Sequence, residues 1–166
     1  MDNGEVILNG PGIKGKNHVV CANDVHDVWF EKLSIRNGDW GMVAHDSSRI
    51  VVRRCHFYNV SAGITATRNT KNNLADYFIS DNIVEGSFYK WVFSRLPDGK
   101  ENPLWTEQWH TEWRGIELTG TGHDICYNLV RNFKDTLDTN GSEVCAAMDF
   151  HHNDCREAMD LPVRRR

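Results

Sequence analysis

The stretch GIELTGTGHDICYNLVRN, residues 115–132, decides how this sequence folds. Its apolar residues fall at 116, 118, 125 and 130, with glycines between the runs. That is too broken for a helix and too rich in turn residues for one long strand. Its meaning comes from recurrence. A short strand, usually led by Gly, appears as Gly41-Met42-Val43-Ala44, Gly63-Ile64-Thr65-Ala66 and Gly115-Ile116-Glu117-Leu118. Thr136-Leu137-Asp138-Thr139 and Ala158-Met159-Asp160-Leu161 continue the series. The steps between these starts are 22, 52, 21 and 22 residues.

A second pattern alternates with the first. It reads Val28, Phe30, Leu33, Ile35, then Ile50, Val52, Cys55, Phe57, then Tyr77, Ile79, Asn82, Val84. His123, Ile125, Asn128, Val130 and Met148, Phe150, Asn153, Cys155 complete it. Within each unit the apolar spacing is two, which marks strands. A repeat of about 22 residues marks a solenoid. Short strands separated by Gly, Asn, Asp and Ser, with no leucine-rich consensus and no helical return, predict a parallel β-helix. Each unit is then one coil, stacked about 4.8 Å from the next. The third position of the second pattern is a bend, held by Leu33, Cys55, Asn82, Asn128 and Asn153. Stacked Asn side chains there can bond to one another and to the bend backbone, and Asn tolerates left-handed angles.

Three stretches also resemble a known family: NGDWGMVAHDSSRIVVRRCHFYNVSAGITA, RGIELTGTGHDICYNLVRNFKDTLDT and MDFHHNDCREAMDL. They look like the right-handed parallel β-helix repeat of pectate-lyase-like proteins, over roughly residues 20–161. The resemblance implies an all-β, right-handed, single-stranded solenoid of roughly 5–6 coils. It also implies a carbohydrate-active protein: a polysaccharide lyase, hydrolase or epimerase, or a fragment of one. Such a protein acts on an acidic polysaccharide in a groove along the parallel sheet, often with Ca2+ bridging substrate to protein acids. An extracellular or periplasmic setting goes with that. The fold hosts adhesins and tailspikes as well, so a non-catalytic recognition module is the alternative. The strand RIVVRRCHF resembles the vWIDHC strand of pectate lyases, with Arg54 where the Asp would stand.

The whole chain, 166 residues with a formal charge of −4, suits one domain. Its coils are expected over about 20–161, with a frayed tail at 162–166. It has no basic stripe for a nucleic acid and no apolar run long enough for a membrane span, and residues 1–20 lack the basic start and apolar core of a signal peptide. The absence of an evident capping element suggests a piece of a longer β-helix, prone to end-to-end self-association. The five cysteines show no C-x-x-C spacing. Buried free thiols are the expectation, with a Cys126–Cys155 or Cys145–Cys155 bridge as alternatives.

Chemistry is sought on the outward side of the Gly-led strands. Strand alternation sends Met42, Ile64, Ile116, Leu137 and Met159 inward. It sends Val43, Thr65, Glu117, Asp138 and Asp160 outward. The last three form a row of carboxylates about 5 Å apart. Stacked like charges destabilise neighbouring strands. Three remedies exist: a bound cation such as Ca2+, a raised pKa that sets a general acid beside a base, or a basic neighbour among Arg114, His123 and Arg156. Glu117, Asp138 and Asp160 are therefore both the candidate catalytic acids and the candidate metal ligands. Plain solvation of a polar face accounts for the same row.

Between Gly63 and Gly115 the chain is longer than two coils need. The excess, about 87–113, contains Trp105, Trp109 and Trp113, spaced four apart. Together with Arg114 and His45 they are the candidate substrate-binding residues, since indole faces suit sugar rings. The same tryptophans also suit a small core within the excursion. His151 and His152 lack partners at ligand spacing and read as structural. Asp124 and Asp149 read as turn or solvent residues.

Overall fold

The computed structural model describes residues 6–12, 17–67, 74–87, 98–100, 114–139 and 145–158. They form a parallel β-solenoid of about five turns, and every strand pairing among them is parallel. No helix occurs among the described residues.

Three stacked faces wrap the interior. Sheet 1 comprises β3 (His26–Glu31), β5 (Ser48–Arg53), β7 (Phe78–Ser80), β11 (Asp124–Cys126) and β15 (Asp149–His151). Sheets 2 and 3 are the two leaves of one nine-stranded sheet, joined through the long strands β4 (Leu33–His45) and β6 (His56–Thr67). Their leading halves lie in sheet 2 with β1 (Val6–Gly12), β8 (Ile83–Gly86), β12 (Leu129–Arg131) and β16 (Asp154–Arg156). Their trailing halves lie in sheet 3 with β2 (His18–Asn23), β9 (Arg114–Leu118) and β13 (Asp135–Asp138). Two short strands, β10 (Gly120–Thr121) and β14 (Cys145–Ala146), pair beside them.

Both sequence patterns appear as columns in the core. Met42, Ile64, Ile116 and Leu137 are register partners in sheet 3. Phe30, Val52, Ile79, Ile125 and Phe150 stack in sheet 1. Ile35, Phe57, Val84, Val130 and Cys155 stack in sheet 2. Ile35, Phe57, Ile79, Val84, Ile116, Ile125 and Val130 are wholly buried. Each such side chain contributes about 1.5–3 kcal/mol.

The corners differ in construction. Between sheets 1 and 2 runs the asparagine ladder. Asn128 Nδ2 donates to Asn153 Oδ1 at 2.9 Å and to the Ile79 carbonyl at 2.9 Å. Asn82 Nδ2 donates to Asn128 Oδ1 at 2.9 Å and to the Val52 carbonyl at 2.9 Å. The backbone N–H groups of Cys55, Asn82 and Asn128 donate to Asn82, Asn128 and Asn153 in turn. The left-handed residue is the one before each rung. Lys32, Arg54, Asp81, Tyr127 and His152 have φ of 54–57°. The asparagines are therefore selected for their amide bonds rather than for left-handed tolerance.

Between sheets 2 and 3 stand the glycines. A Cβ on Gly41 would lie 2.8 Å from Phe57 Cδ1, and one on Gly63 or Gly115 would overlap Val84 or Val130. Here the core side chains of sheet 2 press against the backbone of the next face, which explains the Gly-led start. Outside this corner a second ladder links Asn59 to Asn37 at 2.8 Å and Asn37 to Asn9 at 2.7 Å. Asn37, Asn59 and Asn132 carry positive φ there.

All five cysteines are free, so neither bridge forms. Among the described residues no helix is long and apolar enough to cross a membrane. The excursion at 87–113, with Trp105, Trp109 and Trp113, lies outside the described residues save for Ser87 and 98–100, as do Asp160 and the tail at 162–166.

Candidate functional site

Val43, Thr65, Glu117 and Asp138 are register partners along sheet 3, as strand alternation predicts. Their surroundings are not a solvated face. Val43 and Thr65 are buried, and Glu117 is only 2% exposed. A carboxylate so far from water must be paired or it costs several kcal/mol. Arg114, at the start of β9, is the partner. Its guanidinium donates to the Glu117 carboxylate, and its Nε lies 3.2 Å from Asp138 Oδ2. One cation therefore serves two carboxylates on neighbouring strands. Arg114 thus supplies the basic neighbour named among the three remedies.

The other two basic candidates are placed elsewhere. His123 is in the interior, where its Nδ1 accepts from the Tyr77 N–H at 3.1 Å and its Nε2 lies 2.9 Å from the Thr119 carbonyl. Burial lowers its pKa, which suits a neutral ring. Burial likewise raises the Tyr77 phenol, which bonds the Ser47 carbonyl at 3.1 Å. Arg156 is held by Asp154, with Nε at 2.9 Å from Oδ1.

His45 lies on the same sheet but in another cluster. Its Nδ1 is 2.9 Å from Thr67 Oγ1, and its ring meets His18 edge-on at 6.4 Å. His18 in turn meets Trp40 at 5.8 Å. Burial and the nearby His45 lower the His18 pKa.

Sheet 1 carries outward features that residue spacing did not single out. Trp29, Val51, Phe78, Asp124 and Asp149 form one outward column. Trp29 is 63% exposed and Phe78 is 37% exposed. The next column is Glu31, Arg53, Ser80, Cys126 and His151. At the early coils the surface is aromatic and cationic. Arg53 sits 5.0 Å from the Trp29 ring centroid, and Glu31 is shared by Arg53 at 3.1 Å and Arg54 at 3.3 Å. Arg49 grips Asp27 with two bonds of 2.6 and 2.8 Å.

At the later coils the same columns become acidic and metal-ligating in type. His151 Nε2 lies 3.1 Å from Asp124 Oδ1, and Cys126 is 4% exposed beside them. Burial, followed by the charge and hydrogen bond of Asp124 and the charges of Asp81 and Asp149, pushes the Cys126 thiol up to about 11. Asp124 is thus not a mere turn residue, and His151 does have a partner. The two are 27 residues apart, a separation no short-motif rule covers. Only the coil register brings them together.

Comparison with family models, curated proteins and solved structures finds no match to this chain.

Proposed function

We propose that this chain is a carbohydrate-directed β-helix of the pectate-lyase-like type, and that it holds an acidic polysaccharide along the outward face of sheet 1. The observation that carries this reading is the exposed, in-register pair of Trp29 and Phe78, two coils apart beside Arg53 and Arg54. Two coils span about 10 Å along the axis, a repeat suited to an extended sugar chain. An indole and a phenyl ring on a flat sheet offer stacking platforms. The arginines offer bidentate contacts to sugar carboxylates. Their present partner Glu31 is at the surface, where such pairs contribute about 0–1 kcal/mol and exchange cheaply. Trp105, Trp109 and Trp113 are proposed as further sugar platforms.

Affinity electrophoresis through gels containing polygalacturonate, alginate or a neutral glucan tests this. Retardation is expected in the uronate gels and not in the glucan. Trp29→Ala with Arg53→Gln is expected to abolish it while leaving the melting temperature near that of the parent. Equal mobility in all gels, or retardation indifferent to both substitutions, overturns the reading.

The non-catalytic version is favoured over the lyase, hydrolase or epimerase by Arg114. Its guanidinium already pairs with both Glu117 and Asp138 and offsets their charge. Release of new chain ends from polygalacturonate, lost in Glu117→Gln, would restore the enzyme. A melting temperature raised by calcium, and no longer raised in Asp138→Asn, would restore the metal role. At 100 times its dissociation constant the ion adds about 2.7 kcal/mol.

A further inference from the structure

We propose that Asp124, Cys126 and His151 form a binding site for a divalent cation of the zinc class, which staples the β11 coil to the β15 coil. This inference is independent of the carbohydrate reading.

The three ligand atoms all lie within 4.8 Å of one another. A tetrahedral zinc ion with bonds of about 2.0–2.3 Å needs its ligand atoms roughly 3.3–3.7 Å apart. The imidazole and carboxylate are already at 3.1 Å, so the remaining closure is a small side-chain rotation. The backbone cannot drift. Cys126 and His151 are register partners on adjacent strands, as are Asp124 and Asp149. Asp124 and Cys126 flank the buried Ile125, so both project to the outward side of one rigid strand.

The imidazole of His151 is itself held in place. His151 Nδ1 lies 2.8 Å from His152 Nδ1. With the proton on His151 Nδ1, that bond leaves Nε2 bare toward the site. His152 is itself held by stacking on Tyr127, at 4.9 Å between centroids and 15° between planes. Metal-bound imidazoles are oriented by such outer bonds. The electrostatics point the same way. Asp124 and Asp149 face each other across neighbouring strands, an arrangement that repels unless a cation intervenes. Thiolate and imidazole select a zinc-class ion over calcium, which prefers oxygen alone. On binding, the thiol proton is released and the sulfur takes the metal in its place. Three protein ligands leave one coordination position for water or Asp149.

The test is a Co2+ titration of the full chain under reducing conditions, followed by the thiolate-to-cobalt charge-transfer absorption. One equivalent is expected to give the band, and Zn2+ is expected to displace it. Cys126→Ser should remove the band, and Cys21→Ser should leave it intact. Asp124→Asn and His151→Gln should each weaken binding at least about tenfold, with His152→Gln weakening it about tenfold through the outer bond. No thiolate band, persistence of the band in Cys126→Ser, or failure of Zn2+ to displace cobalt overturns the proposal. If Cys126→Ser does not fold, the surface substitutions Asp124→Asn and His151→Gln decide, and unchanged affinity in both overturns it.

Discussion

Two corners of this solenoid solve one problem by opposite means. Each must turn the chain while the next coil stacks on it. Between sheets 1 and 2 the solution adds atoms: Asn82, Asn128 and Asn153 fill the corner and bond to bend N–H groups and to carbonyls of the preceding coil. Between sheets 2 and 3 the solution removes them: Gly41, Gly63 and Gly115 leave room for Phe57, Val84 and Val130. The first corner has backbone groups that must be satisfied away from water. The second keeps its backbone paired through the continuous strands β4 and β6, and only space is short. Which residue a corner selects therefore follows from what the neighbouring sheet demands, polar satisfaction or volume.

The sharpest way to break this contrast is a methyl group at the second corner. Gly63→Ala would drive its Cβ into the Gly115 carbonyl and Val84. The expected loss is about 3 kcal/mol or more, read from urea unfolding. Asn128→Ala attacks the first corner. It carries no backbone penalty, because Asn128 is not among the left-handed residues. It strips the acceptor from the buried Asn82 N–H, so a loss of about 2–3 kcal/mol is expected.

Cys55 sharpens the comparison further. Its thiol donates to the Phe30 carbonyl at 3.5 Å and to the Arg53 carbonyl at 3.4 Å. It thus imitates the donor half of an Asn rung, more weakly. Cys55→Asn should be more stable than Cys55→Ala in the same unfolding series, with Cys55→Ala about 1 kcal/mol below the parent. The smallest effect belongs to the outer ladder. Water replaces its lost bonds, and Gly accepts the φ of 57° at Asn37. Asn37→Gly should shift stability by about 0.5 kcal/mol or less, and a loss comparable to that of Asn128→Ala would erase the distinction between inner and outer ladders.

The fold was legible because a solenoid writes its core twice into each coil. The columns through Met42 and Ile35 are the ones the alternation picks out, and the Asn rungs fall where the bend was placed. The row from Val43 to Asp138 was legible as a register but not as an environment. Nothing in the local pattern says that Glu117 is buried, because alternation assigns a side and not what lies over it. Arg114 was one of three named basic neighbours, and sequence proximity did not rank it above His123, whose ring faces the core. The cluster at Asp124, Cys126 and His151 was missed for a different reason. Asp124 and Cys126 come from one coil and His151 from the next, so their nearness is a property of stacking rather than of spacing. Trp29 and Phe78 escaped notice similarly, since each is alone in its own segment.

The ladder rungs also carry a lesson about the order of assembly. Asn128 and Asn153 are 25 residues apart, and Asn82 and Asn128 are 46 apart, yet both pairs meet at 2.9 Å. Closing the longer loop costs only about 0.5 kcal/mol more in chain entropy, since the cost grows with the logarithm of length. Equilibrium stability thus barely registers the extra chain, but the search for that contact is longer than for any neighbouring rung. Among the described rungs, the joint between the coils of Asn82 and Asn128 is thus the contact that closes the longest loop.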